Sequence, residues 1–104
     1  MRPKIICLCG STRFKDAFFT EYARLSDEGN IVLTVARLIP DHDEQKALEL
    51  GWKELHLRKI DLADEIFVLN VDGYIGESLR YEIEYATKLN KPIKYLEVIH
   101  NEST

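Results

Sequence analysis

Short apolar runs alternate with longer amphipathic stretches along the whole of this chain, and that alternation constrains its fold more than any single motif does. The first run, residues 4–9, contains Ile5-Ile6-Cys7-Leu8-Cys9 and stops at Gly10-Ser11-Thr12, which suits a strand buried on both faces. Residues 13–28 carry Phe14, Phe18, Tyr22 and Leu25 at helical spacing, with Gly29-Asn30 as the stop. Residues 31–38 are β-branched and apolar, a second strand, and Asp43 in the following loop is placed to cap a helix. That helix is expected over 47–62, with Leu48, Trp52, Leu55 and Lys59 or Leu62 in register, although Gly51 weakens its early part. A third strand is expected over 65–71, then a loop over 72–77, a helix over 78–90, and a last strand over 93–98 after Asn90-Lys91-Pro92. The polar tail, 100–104, is expected to be loose.

This β-α-β-α-β-α-β order predicts an α/β protein: a parallel sheet of four or five strands with helices on both faces. At 104 residues, with no linker, internal repeat or low-complexity segment, the chain reads as a single domain over 1–104. A net charge of −4 argues against a nucleic-acid partner, while leaving room for a local pocket that holds one phosphate. No apolar run approaches the roughly 20 residues that span a bilayer, and the stretch after Met1-Arg2-Pro3-Lys4 is short for a secretory signal. The expectation is a cytoplasmic protein without a membrane partner. Cys7 and Cys9 point to the same side of one strand, a poor geometry for a disulfide, and read as two small buried hydrophobes. His42, His56 and His100 show no ligand spacing, so neither a metal nor another cofactor is expected.

Sheets of this kind bind ligands outside the carboxyl ends of their strands, which singles out two loops. In Gly10-Ser11-Thr12-Arg13, the glycine permits a tight turn, free N–H groups can hold an anion, and Arg13 adds a cationic fork. The plain alternative is a helix start capped by Ser11 or Thr12. In the second loop, Asp72, Tyr74 and Gly76 precede Ser78, which is placed to cap the helix. Tyr74 either stacks on a planar ring or covers the sheet edge. Arg80 and Glu84 read as a solvated i,i+4 pair.

The helix fed by that second loop holds the oddest residue. On a wheel of about 100° per residue, Leu79, Ile83, Ala86 and Leu89 share one face, and Glu82 falls among them. A carboxylate on a buried face is costly unless something pairs with it. Catalysis, a buried ion pair and a charge at a helix N-terminus are the competing explanations.

Gly10-Ser11-Thr12-Arg13, then Leu62-Ala63-Asp64-Glu65-Ile66-Phe67-Val68, then Tyr81-Glu82-Ile83-Glu84-Tyr85-Ala86 with Lys91-Pro92-Ile93, resemble in order the nucleoside 2-deoxyribosyltransferase superfamily, which includes 2′-deoxynucleoside 5′-phosphate N-hydrolases. The resemblance spans nearly the whole chain. It implies a flavodoxin-like or Rossmann-like three-layer sandwich, assembly as a homodimer or higher oligomer, and a nucleoside or nucleotide as partner. It also implies that Glu82 is the nucleophile that attacks the anomeric carbon and forms a glycosyl ester. The family's acidic residue, about eight positions before Asp64, is His56 here, and its polar residue six positions before the nucleophile is Gly76. The expected function is N-glycosidic cleavage, with hydrolysis favoured over transfer, His56 as candidate acid, and Gly10, Ser11, Thr12, Arg13, Asp72, Tyr74, Gly76 and Ser78 as candidate substrate contacts. The alternatives are a non-catalytic nucleotide-binding module, or a scaffold in which Glu82 joins a buried ion pair, with Arg13 as the suggested partner.

Overall fold

The computed structural model describes residues 2–99, so the tail expected to be loose lies outside the described residues. Four strands, β1 (Ile5–Cys9), β2 (Ile31–Leu33), β3 (Glu65–Val68) and β4 (Ile93–Tyr95), alternate with helices. These are α1 (Lys15–Asp27), the pair α2 (Glu44–Glu49) and α3 (Trp52–Leu62), and α4 (Glu77–Lys88). Every paired strand is parallel and the spatial order is β2-β1-β3-β4. The result is the expected α/β, Rossmann-like three-layer fold. No helix among the described residues is long and apolar enough to cross a membrane.

Strand β1 lies at the centre, with Cys7 opposite Leu33 on one side and Ile66 on the other. Alternation divides its side chains between two cores. Ile6 and Leu8 pack with Phe18 and Leu25 of α1, and Cys7 and Cys9 pack with Leu57 and Ile60 of α3 and Leu79 and Ala86 of α4. A strand sandwiched in this way must be apolar at every position, which is why its run is unbroken.

The elements differ from the sequence reading where the backbone meets a local demand. The helix expected over 47–62 is two helices: Asp43 caps α2 by accepting from Lys46 N–H at 3.1 Å, and Gly51, at φ 70° and ψ 43°, breaks the axis. Leu48 and Leu55 are exposed, and the buried face of α3 is His56, Leu57 and Ile60 instead. The run 31–38 leaves the sheet after Leu33 and ends in a 3-10 turn over Ala36–Leu38. The first helix opens as a 3-10 turn (Thr12–Phe14) on Ser11, whose Oγ accepts from Arg13 N–H at 3.3 Å. Ser78 is not the cap of α4; that position is Gly76, and Ser78 lies within the first turn. Arg80 and Glu84 are both exposed and form no ion pair within 4.0 Å.

Candidate active site

From β1 the chain runs outward to β2, then returns across β1 to build β3 and β4 on the other side. The segments leaving β1 and β3 therefore diverge to opposite faces and open a crevice at the carboxyl edge. Gly10 lets the two exits approach. A Cβ there would stand 3.2 Å from Leu69 Cβ and 3.3 Å from both Leu69 O and Phe18 Cζ. Beyond this contact lies a cleft of about 360 Å³.

Gly10, Ser11, Thr12, Tyr74, Gly76 and Ser78 all line the cleft, together with His56 and Glu82. Arg13 and Asp72 do not. Arg13 turns outward, its guanidinium 4.2 Å from the centre of the Tyr74 ring, and that ring meets Phe14 edge-on at 6.0 Å. Arg13 thus braces Tyr74 rather than facing the cavity. Asp72 sits exposed at φ 56°, its N–H donating to Glu97 Oε2 at 2.7 Å. Tyr74 in turn folds against Gly76, where a Cβ would lie 2.8 Å from the tyrosine hydroxyl.

Val35, Ala36, Arg37, Trp52 and Lys53 also line the cleft, and the sequence reading had assigned none of them to the site. A signal existed for the first three. They follow β2 at the same carboxyl edge, and the rule that selected the other two loops applies equally there. Trp52 and Lys53 enter because the Gly51 break re-aims the start of α3. Arg37 is held by a two-pronged contact with Glu44, at 3.1 and 2.9 Å, and Glu44 also meets His42 Nε2 at 2.9 Å.

Glu82 is one of the most buried groups of the cleft. It rises from the second turn of α4 between buried Leu79 and Ala86, with its side chain only 16% exposed, and Oε1 lies 3.5 Å from His56 Nε2. His56 is buried on α3 and packs over β1, its Nε2 3.5 Å from Cys9 Sγ and 3.9 Å from Cys7 Sγ. His56 Nδ1 is buried and has no hydrogen-bond partner among the described residues. Sequence could not reveal this convergence. The contacts between His56 and the two cysteines span 49 and 47 residues, and only the packing of α3 on β1 brings them about.

These groups perturb one another. Burial pushes the Glu82 carboxyl up from its ordinary value, and the neighbouring imidazole offsets part of that rise. Burial opposes charging of His56, but the adjacent Cys7 thiol and the Glu82 carboxylate outweigh it, so the imidazole is raised. Cys7 is lowered to about 6, chiefly by the hydrogen bond from Cys9, with burial opposing and His56 assisting. Cys9, which gives that hydrogen bond, is raised. A buried carboxylate, an imidazole within reach and an open cleft beside them are the ingredients of nucleophilic and general acid chemistry.

No family model matches the chain, and no curated protein matches it at a significant level. Among solved structures it is similar to the 2-deoxyribosyltransferase from the psychrotolerant bacterium Bacillus psychrosaccharolyticus, with 21% sequence identity and a TM-score of 0.66. The likeness covers 92% of this chain and 77% of that one. At that identity it establishes a shared fold, and this is the fold expected from the motifs.

Proposed function

We propose that this protein is an N-glycosidase that cleaves the bond between base and sugar in a nucleoside or nucleoside 5′-monophosphate, by hydrolysis in preference to transfer. The observation that carries the reading is Glu82: a mostly buried carboxylate at the switch-point cleft, 3.5 Å from an imidazole. A carboxylate stripped of water is a stronger nucleophile than a solvated one, provided a neighbour keeps it ionised. The substrate class draws support from the activity named for the structural neighbour.

In this reading the Glu82 carboxylate attacks the anomeric carbon, the bond to the base breaks, and its electrons leave with the base. The transition state resembles an oxocarbenium ion. His56 in its protonated form stabilises the carboxylate before attack. Once Glu82 has become a neutral ester, the imidazolium loses its counter-charge and gives its proton, relayed by water in the cleft, to the base departing on the opposite face of the sugar. Neutral His56 then takes a proton back by the same relay as water cleaves the ester, and two inversions leave the configuration retained. Trp52 and Tyr74 offer planar walls for the base, while Ser11, Thr12 and Ser78 offer hydroxyls to the sugar. With Arg37 committed to Glu44 and Arg13 stacked outside, Lys53 is the lining cation that forms no ion pair among the described residues, and it suits a 5′-phosphate. The cleft volume suits a single ligand of nucleoside size.

The test is release of free base from a panel of ribo- and deoxyribonucleosides and their 5′-monophosphates, read by chromatography. The wild type should release base from at least one of them, and Glu82→Gln should lower the rate by about a thousandfold or more. Saturable binding with no base released by folded wild type would instead favour a non-catalytic nucleotide-binding module.

A further inference from the structure

The reaction above uses a carboxylate and an imidazole and leaves two buried thiols without a role. Cys7 and Cys9 occupy consecutive inward positions on the α3-facing side of β1, and neither is exposed at all. Packing alone would be served there by valine or alanine. Instead both sulfurs meet one ring nitrogen, and the Cys7, Cys9 and His56 donor atoms all lie within 4.8 Å of one another. Glu82 Oε1 approaches the same nitrogen from the cleft.

Hydrogen bonding does not explain that crowding, because an imidazole nitrogen carries one proton or one lone pair and here has three neighbours. Coordination does. A tetrahedral ion with bonds of about 2.3 Å to sulfur and about 2.0 Å to nitrogen and oxygen holds sulfur about 3.6 Å, and oxygen about 3.3 Å, from the nitrogen. The observed separations from His56 Nε2 are 3.5 Å for Cys9, 3.9 Å for Cys7 and 3.5 Å for Glu82. The two sulfur separations lie within a few tenths of an ångström of a coordination edge, while Glu82 stands outside the set of donors that lie within 4.8 Å of one another.

We propose that Cys7, Cys9 and His56 form a three-donor binding site for a thiophilic divalent ion of the zinc class, with its fourth position turned toward the cleft. The mixed sulfur and nitrogen donors favour such an ion over magnesium or calcium. The cleft lined by His56 and Glu82 is its path of entry. His56 Nδ1 has no hydrogen-bond partner among the described residues, and without that outer-shell support the ion is held more weakly than in a fully supported zinc site. Binding displaces the protons of both thiols, and any proton on Nε2, into the cleft, and changes no oxidation state. It also occupies His56 Nε2, so the imidazole can neither give nor take a proton and the loaded protein is switched off. That consequence rests on the proposed function; the binding itself does not.

Titration of untagged, chelator-treated protein with Co²⁺ tests the site without reference to activity. The expected result is one ion per chain, with thiolate-to-cobalt charge transfer in the near ultraviolet and the intense visible bands of a tetrahedral site. The double variant Cys7→Ala/Cys9→Ala, checked for folding by circular dichroism, should lose the charge transfer entirely. If that variant does not fold, Cys9→Ser should weaken binding about a hundredfold and reduce the charge transfer. Glu82→Gln should retain the charge transfer, because the sulfur and nitrogen donors are untouched. Absence of charge transfer in folded wild type, or its survival in the folded double variant, would overturn the site. Co²⁺ binding by a protein that releases no base even when metal-free would sink the glycosidase reading and leave the site standing, whereas base release unaffected by Zn²⁺ in a protein that binds no Co²⁺ would do the reverse.

Discussion

At Glu82 a carboxylate faces an imidazole across 3.5 Å with little water on either side, an arrangement that stability alone does not favour. Burial raises the carboxyl because its charged form is poorly solvated there, so wherever the carboxyl is ionised its charge costs the folded state stability. Glu82→Gln should therefore raise Tm by about 2–6 °C at mildly alkaline pH, measured by calorimetry. A fall of that size would identify the pair as a structural ion pair and weaken the catalytic reading. Glu82 could be found from sequence because one polar residue on an apolar helical face breaks a period that needs no tertiary information. The cysteines could not. On β1 they are as apolar as their neighbours, and only the arrival of His56 gives them chemistry.

Elements carry their own logic, and α2 is the clearest case. Asp43 and Glu44 start it, and Glu44 also gathers Arg37 from the segment after β2 and His42 from the preceding loop. The hydrogen bonds from Arg37, and then from His42, hold the Glu44 carboxyl at about 2 against its ordinary 4.5. A depressed carboxyl stabilises the fold above its unfolded value, and that contribution fades as pH falls from about 4.5 through about 2. Because Glu44 is exposed, the stabilisation is small, and the cleaner readout is the group itself. Carboxyl-carbon NMR should place its midpoint near 2 in the wild type and nearer the ordinary value in Arg37→Ala. An unmoved midpoint would show that Arg37 is not the cause. The helix was legible as a helix, but its break was not. Gly51 was visible as a weak point, yet whether glycine is tolerated within a helix or ends it depends on what the following turn packs against. Here it packs His56, Leu57 and Ile60 against the sheet, a different face from the one the leucine spacing suggested.

For the molecule as a whole, strand content and parallel pairing followed from alternation, because buried two-faced strands and amphipathic connections leave few other architectures. The spatial order β2-β1-β3-β4 is a property of the assembled sheet, and with it came the cleft residues beyond the two loops. One of those is Trp52, the single tryptophan of the chain, standing in the cleft wall with the His42 ring 5.4 Å away. A lone indole at the mouth of the cavity makes the protein its own optical probe. Any base that stacks there displaces water from the ring, so emission should shift to the blue or be quenched in proportion to occupancy. Fluorescence titration of unlabelled protein would then give affinities for substrates, products and unreactive analogues alike, even in variants that have lost all turnover. A nucleotide that bound by calorimetry yet left the emission unchanged would have to sit elsewhere on the molecule.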